Sequence, residues 1–549
     1  MTKFSTALRS GPLRLSRAMP VLLALAGAMP VQAGSISAFI DDYAVKVAAG
    51  LSGPAVPALP PNDILSRLAP ATYADGAGAL VDRGNPRDIS NALSQPAHAA
   101  QDELPPLSNL GVAMLQFLAS HETAHTKTGS ETINIPVPAD DPVAQAGGGA
   151  PVMLMDRSLY TEVDGVREQT NALTHIFDGS TVYGSDMATT MALRSLDGTG
   201  RMKTGPDGGL PMVDGRPVAG DGRVAENPSL QSLHTLFVLE HNRLADEIAA
   251  ACAAQGLTCT GDQIFEGARH LVAAEQEKVF YDELLPVFLG TDDLASLLPD
   301  PTIVARIDGM LTEFSAAAGR IGHTMVPDTI RVQAPGGAAQ DVPLADCFFN
   351  MACLLGASLD DQLFGLSVQP SMAIDTVIDD TLRNAQVPAA GASFLIDLYA
   401  TNINRGRDHG LPDYLTLREL LGFDPAPIED LLPAFVLDAF PDYLTTGVDA
   451  IVGLFAEIRV PTQYMGDTAR ALWAAQFLSI QNDHSWFDPA YGLGDFLDGV
   501  TMAGLIVDNT GITAAQLSGN VFVAPVPLPA PGLLLLGAGG LLLARRRRV

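Results

Sequence analysis

The stretch Gly220 to Glu247, GDGRVAENPSLQSLHTLFVLEHNRLADE, constrains the fold of this chain more than any other. Asn227 followed by Pro228 marks a helix start. An asparagine side chain accepts a free N–H of the first turn, and proline lacks the N–H that would otherwise go unpaired. Leu230, Leu233, Phe237, Leu244 and Ile248 then recur on one helical face, which predicts a long helix laid against a core. Arg223 and Glu226 stand three residues apart just ahead of it. A cation and a carboxylate held before a rigid helix suit a flat, anionic bound group. A surface ion pair ahead of an ordinary core helix is the plainer alternative.

Of the 549 residues, 47% are hydrophobic and only 17% charged, so the chain is core-forming and long enough for one large domain or two to three ordinary ones. The net charge of −30 understates the acidity of the middle. Lys3, Arg9, Arg14, Arg17 and Arg545 to Arg548 sit at the two ends, where no acidic residue lies. Such a field repels nucleic acid and anionic lipid.

Both ends read as processing signals. Residues 1–33 carry a basic region, the apolar run Val21 to Met29 and a small-residue cleavage site at Val31-Gln32-Ala33, the pattern of a secretory signal. Residues 523–549 carry VPLPAP, an apolar run too short for a stable span, and four arginines. This tail resembles the tripartite sorting signals of the PEP-CTERM type, in a VPLPA variant; a simple membrane anchor is the alternative. The expectation is an exported protein (periplasmic, cell-surface or extracellular) that meets export and sorting machinery and touches the membrane transiently through its tail. Four cysteines fit an oxidising compartment, with Cys252 near Cys259 and Cys347 near Cys353, although four cysteines allow three pairings.

Residues 34–66 read as a linker or wrap with one amphipathic segment, and 67–522 as the main domain. Leu107 to Phe117 reads helical and delivers His121 and Glu122, with His125 one turn further on. In Arg167 to Asp186, Thr174, the Ile176 carbonyl, Asp178 and Ser180 alternate along what an extended loop would turn to one side, a set of hard oxygens suited to Ca²⁺. Ile264 to Leu289, Met310 to Val326, Leu363 to Asn384 and Phe394 to Tyr399 all read helical, and Arg320 and His323 fall one turn apart on the second of these. With no strand-alternation blocks and no repeats, the fold class expected is mainly α, with long loops and little β.

Taken together, HTLFVLEHNRLA, ALTHIFDGSTVYGSD, GRIGHTMVP and NINRGRDHGLPDY resemble successive signatures of the animal-type haem peroxidase superfamily, bacterial members included. YADG…RDISNAL and NTGITAAQLSGNVF are similar too, so the resemblance spans about Arg67 to Phe522. It implies a single large haem peroxidase domain. His323 would be the axial ligand of haem iron, with Asn402 as partner of its second ring nitrogen and Arg320 and Arg405 near the haem propionates. Arg223 matches the distal arginine, and Glu226 the carboxylate that forms an ester with a haem methyl. Asn227 stands where myeloperoxidase has its sulfonium-forming methionine. The distal base is His121 or its rival His125. The family pattern has Gln four residues before that His, whereas Gln116 lies five before His121; an ungapped match puts Phe117 there. Ser120 replaces an ester-forming Asp, and Glu122 replaces the calcium-binding Asp, joining Thr174, Ile176, Asp178 and Ser180. The cofactors implied are haem b and Ca²⁺, and the partners are H2O2 with halide, thiocyanate or small aromatic donors. A fatty-acid dioxygenase of the same superfamily is the alternative, but such enzymes carry a radical-forming Tyr where this chain has Arg320. A secreted scaffold with a degraded site is another.

Overall fold

The computed structural model describes residues 33–50, 63–100, 104–145, 152–354, 356–389 and 392–525. The proposed leader, except its last residue, and the tail beyond residue 525 lie outside these.

Six helices position what matters here. Helix α1 (Ala33–Ala48) buries Ile40, Tyr43, Ala44 and Val47, and the Tyr43 hydroxyl donates to the Gly267 carbonyl at 3.2 Å. Helix α2 (Asn109–Met114) is capped by the Ser108 hydroxyl and runs straight into a π turn, Leu115–Ser120. Helix α3 (Pro228–Ala254) begins where expected: Asn227 Oδ1 accepts the Leu230 N–H at 2.9 Å. All five apolar residues of its expected face are fully buried. Helix α4 (Gly261–Val279) opens with a capping box of Thr260 and Gln263 and continues through a second π turn, Phe280–Leu284. Helix α5 (Leu398–Asp408) is capped by Asp397, and helix α6 (Asp467–Asp483) lies deep in the core. The strands are short antiparallel pieces, a three-stranded sheet and several two-stranded ones, so the fold is mainly α as expected.

Three expected helices differ. Met310 to Val326 is not continuous: Thr312–Ala316 is α-helical, Ala317 breaks it at φ −133°, and Ala318–Thr324 is a 3-10 segment containing Gly319 and Gly322. At three residues per turn, positions i and i+3 eclipse, so Arg320 and His323 still project from one edge. The pair survives the loss of the helix that was expected to carry it. Phe394 to Tyr399 divides between the strand Ala392–Ile396 and the start of α5. Leu363 to Asn384 is helical only at its two ends, in Leu359–Val368 and Asp380–Arg383, with Pro370 closing the first.

Both local cysteine pairs form disulfides, Cys252–Cys259 and Cys347–Cys353. Among the described residues no helix is long and apolar enough to cross a membrane.

Candidate active site

A cavity of about 400 Å³ gathers side chains from α2 and its π turn, the approach to α3, the 3-10 segment, α5 and α6. His121, His125, Arg223, Glu226, Arg320, His323, Asn402 and Arg405 all line it.

The π turn answers the spacing problem at Gln116. The His121 N–H donates to the Gln116 carbonyl at 2.9 Å, an i to i+5 bond that takes one extra residue into the turn. Gln116 and His121 therefore lie side by side, with Gln116 Nε2 3.5 Å from His121 Nε2. Phe117, the ungapped alternative, is fully buried against His234 and Phe237. Gln116 Nε2 also donates to Glu226 at 2.9 Å, and Asn227 Nδ2 donates to Gln116 Oε1 at 3.2 Å. Glu226 Oε2 lies 3.9 Å from His121 Nε2. His125 reaches the cavity from one turn further on, its N–H held by Asn171 at 2.8 Å.

Arg223 is held at two points. Asp221 grips its guanidinium through both carboxylate oxygens, and Arg223 Nη2 donates to the His121 carbonyl at 3.3 Å. Burial would raise the Asp221 pKa, but hydrogen bonds and charge from Arg223 hold it well below the usual carboxylate range. Sequence reasoning missed Asp221, although its spacing two residues before Arg223 in GDGR was a usable signal. Gly220 just before it has to be glycine, because a Cβ there would sit 2.4 Å from the Ser180 carbonyl and the Gly184 nitrogen.

On the 3-10 segment, His323 Nδ1 lies 2.7 Å from the side-chain amide of Asn402. The amide oxygen and nitrogen exchange by a half turn of the side chain, so Asn402 can accept the Nδ1 proton. Nε2 has no protein partner among the described residues. Burial, then the charge of Arg320, lowers His323 to about 3, so its ring is neutral. Burial, then Arg223, likewise keeps His121 well below its ordinary value and brings His125 to about 4. Burial raises Glu226 to about 7. Arg320 donates to the Ser315 carbonyl at 2.9 Å, and among the described residues it has no carboxylate in ion-pair range. Burial, then Arg405 and Arg223, lowers it to about 10. Arg405 binds Ser158 Oγ at 2.9 Å and Asp408 at 2.8 Å.

Residues 61–522 match the family described as animal haem peroxidase. The chain belongs to this family. Its relatives include human thyroid peroxidase, 30% identical over 405 residues, which cover 64% of this chain and 42% of that protein. Mouse eosinophil peroxidase is 31% identical over 412 residues, 66% of this chain and 55% of that one. The chain thus spans about half the length of these curated relatives. Among solved structures, peroxidase A from Dictyostelium discoideum superposes with a TM-score of 0.72 at 26% identity, covering 84% of this chain and 96% of that one. A rice fatty acid alpha-dioxygenase reaches 0.69 at 18% identity, covering 84% of each chain, a likeness of fold alone.

The residues present fit the family's haem. A neutral, half-buried imidazole with one nitrogen engaged and the other free toward the cavity suits an iron ligand. A half-buried guanidinium without a carboxylate partner, as Arg320 is, suits the propionate of a flat anionic group. Trp473, Phe348 and Phe349 complete the wall and were not singled out in the sequence. The two phenylalanines lie inside the loop closed by Cys347–Cys353, and Phe349 is 53% exposed.

The expected calcium ligands meet only in part as imagined. Glu122, Thr174, Asp178 and Ser180 come together, but around a turn and not along an extended loop. The Ile176 carbonyl accepts the Asp178 N–H at 3.1 Å, Thr174 Oγ1 donates to Asp178 at 2.8 Å, and Ser180 Oγ donates to the Glu122 carbonyl at 3.4 Å. The Glu122 carboxylate accepts N–H groups of Gly179, Ser180 and Thr181. Burial, then the neighbouring charge of Asp178, raises Glu122 to about 8. Two carboxylates repelling each other in a dry site is an environment a divalent cation relieves.

Proposed function

We propose that this protein is an exported haem peroxidase that uses H2O2 to oxidise halides, pseudohalides or small aromatic donors. The observation that carries this reading is the shared cavity, where a neutral His323 partnered by Asn402 accompanies a neutral His121 backed by Arg223 and Gln116. Haem b, when bound, supplies the iron at which peroxide is activated. His323 would hold that iron through its second ring nitrogen, with Asn402 fixing the ring and setting its basicity. Arg320 and Arg405 would bind the propionates. Glu226, poised by burial between its charged and neutral forms, is the candidate ester link to the porphyrin edge. His121, neutral and within reach of Gln116, takes a proton from peroxide and returns it to the departing oxygen. Arg223, locked by Asp221, offers positive charge where negative charge develops on that oxygen. Glu122, Thr174, Asp178, Ser180 and the Ile176 carbonyl would hold Ca²⁺, which would fix the peptide next to His121.

Arg320 in the place of a radical-forming tyrosine supports peroxidation over fatty-acid oxygenation. Export rests on the leader-like first 33 residues, the VPLPA-type tail and the two disulfides. The test is a Soret band in the purified protein that His323→Ala abolishes or shifts, with H2O2 turnover measured on a halide and phenol panel. His121→Ala should lower turnover by about 10²- to 10⁴-fold, and His125→Ala should not. A colourless protein despite haem supply would end this reading, and the reverse order of the two histidine variants would make His125 the base.

A further inference from the structure

The cavity has an aromatic exit. Trp473, on α6, forms part of its wall and donates its indole N–H to the Ala318 carbonyl at 3.1 Å, in the same 3-10 segment that carries His323. One turn along α6 its ring stacks on Phe477, centroids 5.4 Å apart at 29°. Phe477 meets Tyr281 at 6.4 Å, and Tyr281 meets Phe177 at 5.8 Å. The Phe177 carbonyl accepts the indole N–H of Trp486 at 2.7 Å, and Trp486 packs on Tyr491 at 4.7 Å. Both tryptophans of the chain belong to this one line. Tyr491 lies just under the surface, between exposed Asp488–Ala490 and exposed Gly492.

We propose that this line conducts oxidising equivalents from the cavity to Tyr491, giving the protein a second oxidation site for phenolic donors too large to enter the cavity. The inference rests on the peroxidase reading above. Tunnelling falls steeply with distance, and easily oxidised indole and phenol rings divide a long transfer into short hops. Phenylalanine is too hard to oxidise, and the phenylalanines here serve as the medium between hops.

The proton partners decide where the oxidation comes to rest. The Tyr281 hydroxyl donates to the Phe477 carbonyl at 2.7 Å. A carbonyl cannot take that proton away, so a hole on Tyr281 moves on. The Tyr491 hydroxyl is 2.9 Å from His484 Nε2, a nitrogen that can accept the proton. Burial keeps His484 below its ordinary value, and so neutral at pH 7.

The step balances as a one-electron transfer repeated twice per H2O2. Tyr491 loses an electron inward along the line and its phenolic proton to His484. A phenol at the surface then gives an electron to the tyrosyl radical, the proton on His484 returns to the Tyr491 oxygen, and the donor releases its own proton to water. Two such events, with two protons, complete the reduction of one H2O2 to two waters.

The test mixes haem-loaded protein with H2O2, freezes it within milliseconds, and records electron paramagnetic resonance. In parallel, turnover is measured on a small phenol and on a phenol-grafted dextran. The wild type should show a tyrosyl signal and oxidise both donors. Tyr491→Phe, which keeps the ring and removes only the hydroxyl, should lose that signal and the dextran activity while small-phenol turnover is unchanged. Trp486→Phe should do the same with Tyr491 still present. An unchanged signal and unchanged dextran turnover in Tyr491→Phe would overturn the relay. So would a wild type that oxidises the small phenol without forming a tryptophan or tyrosine radical. A wild type that oxidises neither donor would remove the peroxidase reading and the relay with it.

Discussion

Asn402→Ala strikes the partner of the ring proposed to hold haem. The Asn402 amide lies 2.7 Å from His323 Nδ1, both residues border the cavity, and Asn402 is almost fully buried. Alanine leaves the Nδ1–H in a dry site with nothing to accept it. An unpaired buried donor costs about 1–3 kcal/mol. Loss of such a partner behind a metal ligand lowers metal affinity or activity by about 10- to 100-fold, which corresponds to about 1.4–2.8 kcal/mol of binding. The two routes agree, so haem affinity should fall by one to two orders of magnitude. The assay is titration of apoprotein with haem followed at the Soret band, and competition with an apo-globin if binding is too tight. Asn402→Asp retains an acceptor and should recover most of the affinity, with a shifted spectrum from a more basic ring. An Asn402→Ala protein with wild-type haem affinity and spectrum would refute the assignment of Asn402, and would question His323 as the ligand.

Three further outcomes follow from particular contacts. Burial raises Glu313 from 4.5 to about 7, its Oε1 accepts the Leu68 N–H at 3.0 Å, and Oε2 has no partner. The folded state therefore holds this proton more tightly than the unfolded one, so the stabilisation is complete below pH ~4.5 and is lost as pH rises to ~7, by up to about 3 kcal/mol. Glu313→Gln should flatten that slope in denaturant unfolding at pH 5 and 8, and an unchanged slope would count against it. Gly220→Ala should lower unfolding stability by about 1–3 kcal/mol through its clash with the Ser180 and Gly184 backbone, and a wild-type midpoint would contradict the close approach. Removing Ca²⁺ with a chelator should lower the thermal midpoint and peroxidase turnover together, with Asp178→Ala insensitive to chelation; no response in the wild type would sink the calcium assignment.

The parts of this protein legible in its sequence are those whose signal is local. The cap and buried face of α3 followed from Asn227-Pro228 and helical spacing, and the two disulfides from short separations. His323, Asn402, Arg223 and Glu226 were readable because resemblance attaches to whole motifs, and each of them lines the cavity. Other features depend on partners remote in sequence. Trp473 reaches the wall from α6, and Phe348 and Phe349 are brought there by a disulfide loop. The break at Ala317 escaped because helical periodicity and a 3-10 turn both place residues three apart on one edge. The alternating oxygens of Thr174 to Ser180 looked extended because alternation says nothing about a turn that folds the carbonyl of Ile176 onto Asp178.

The π turn at Leu115–Ser120 has a consequence for comparing this chain with others. Position along a helix is usually a proxy for direction, and columns of an alignment inherit that assumption. Here five steps come round to where four would on a regular α-helix, so counting and pointing part company for one turn and agree again afterwards. A residue gained at such a place is absorbed where it enters. The helix before it keeps its seat in the core, and the imidazole after it keeps its view of the cavity. One residue can thus enter or leave this turn while Gln116 and His121 stay side by side at the cavity.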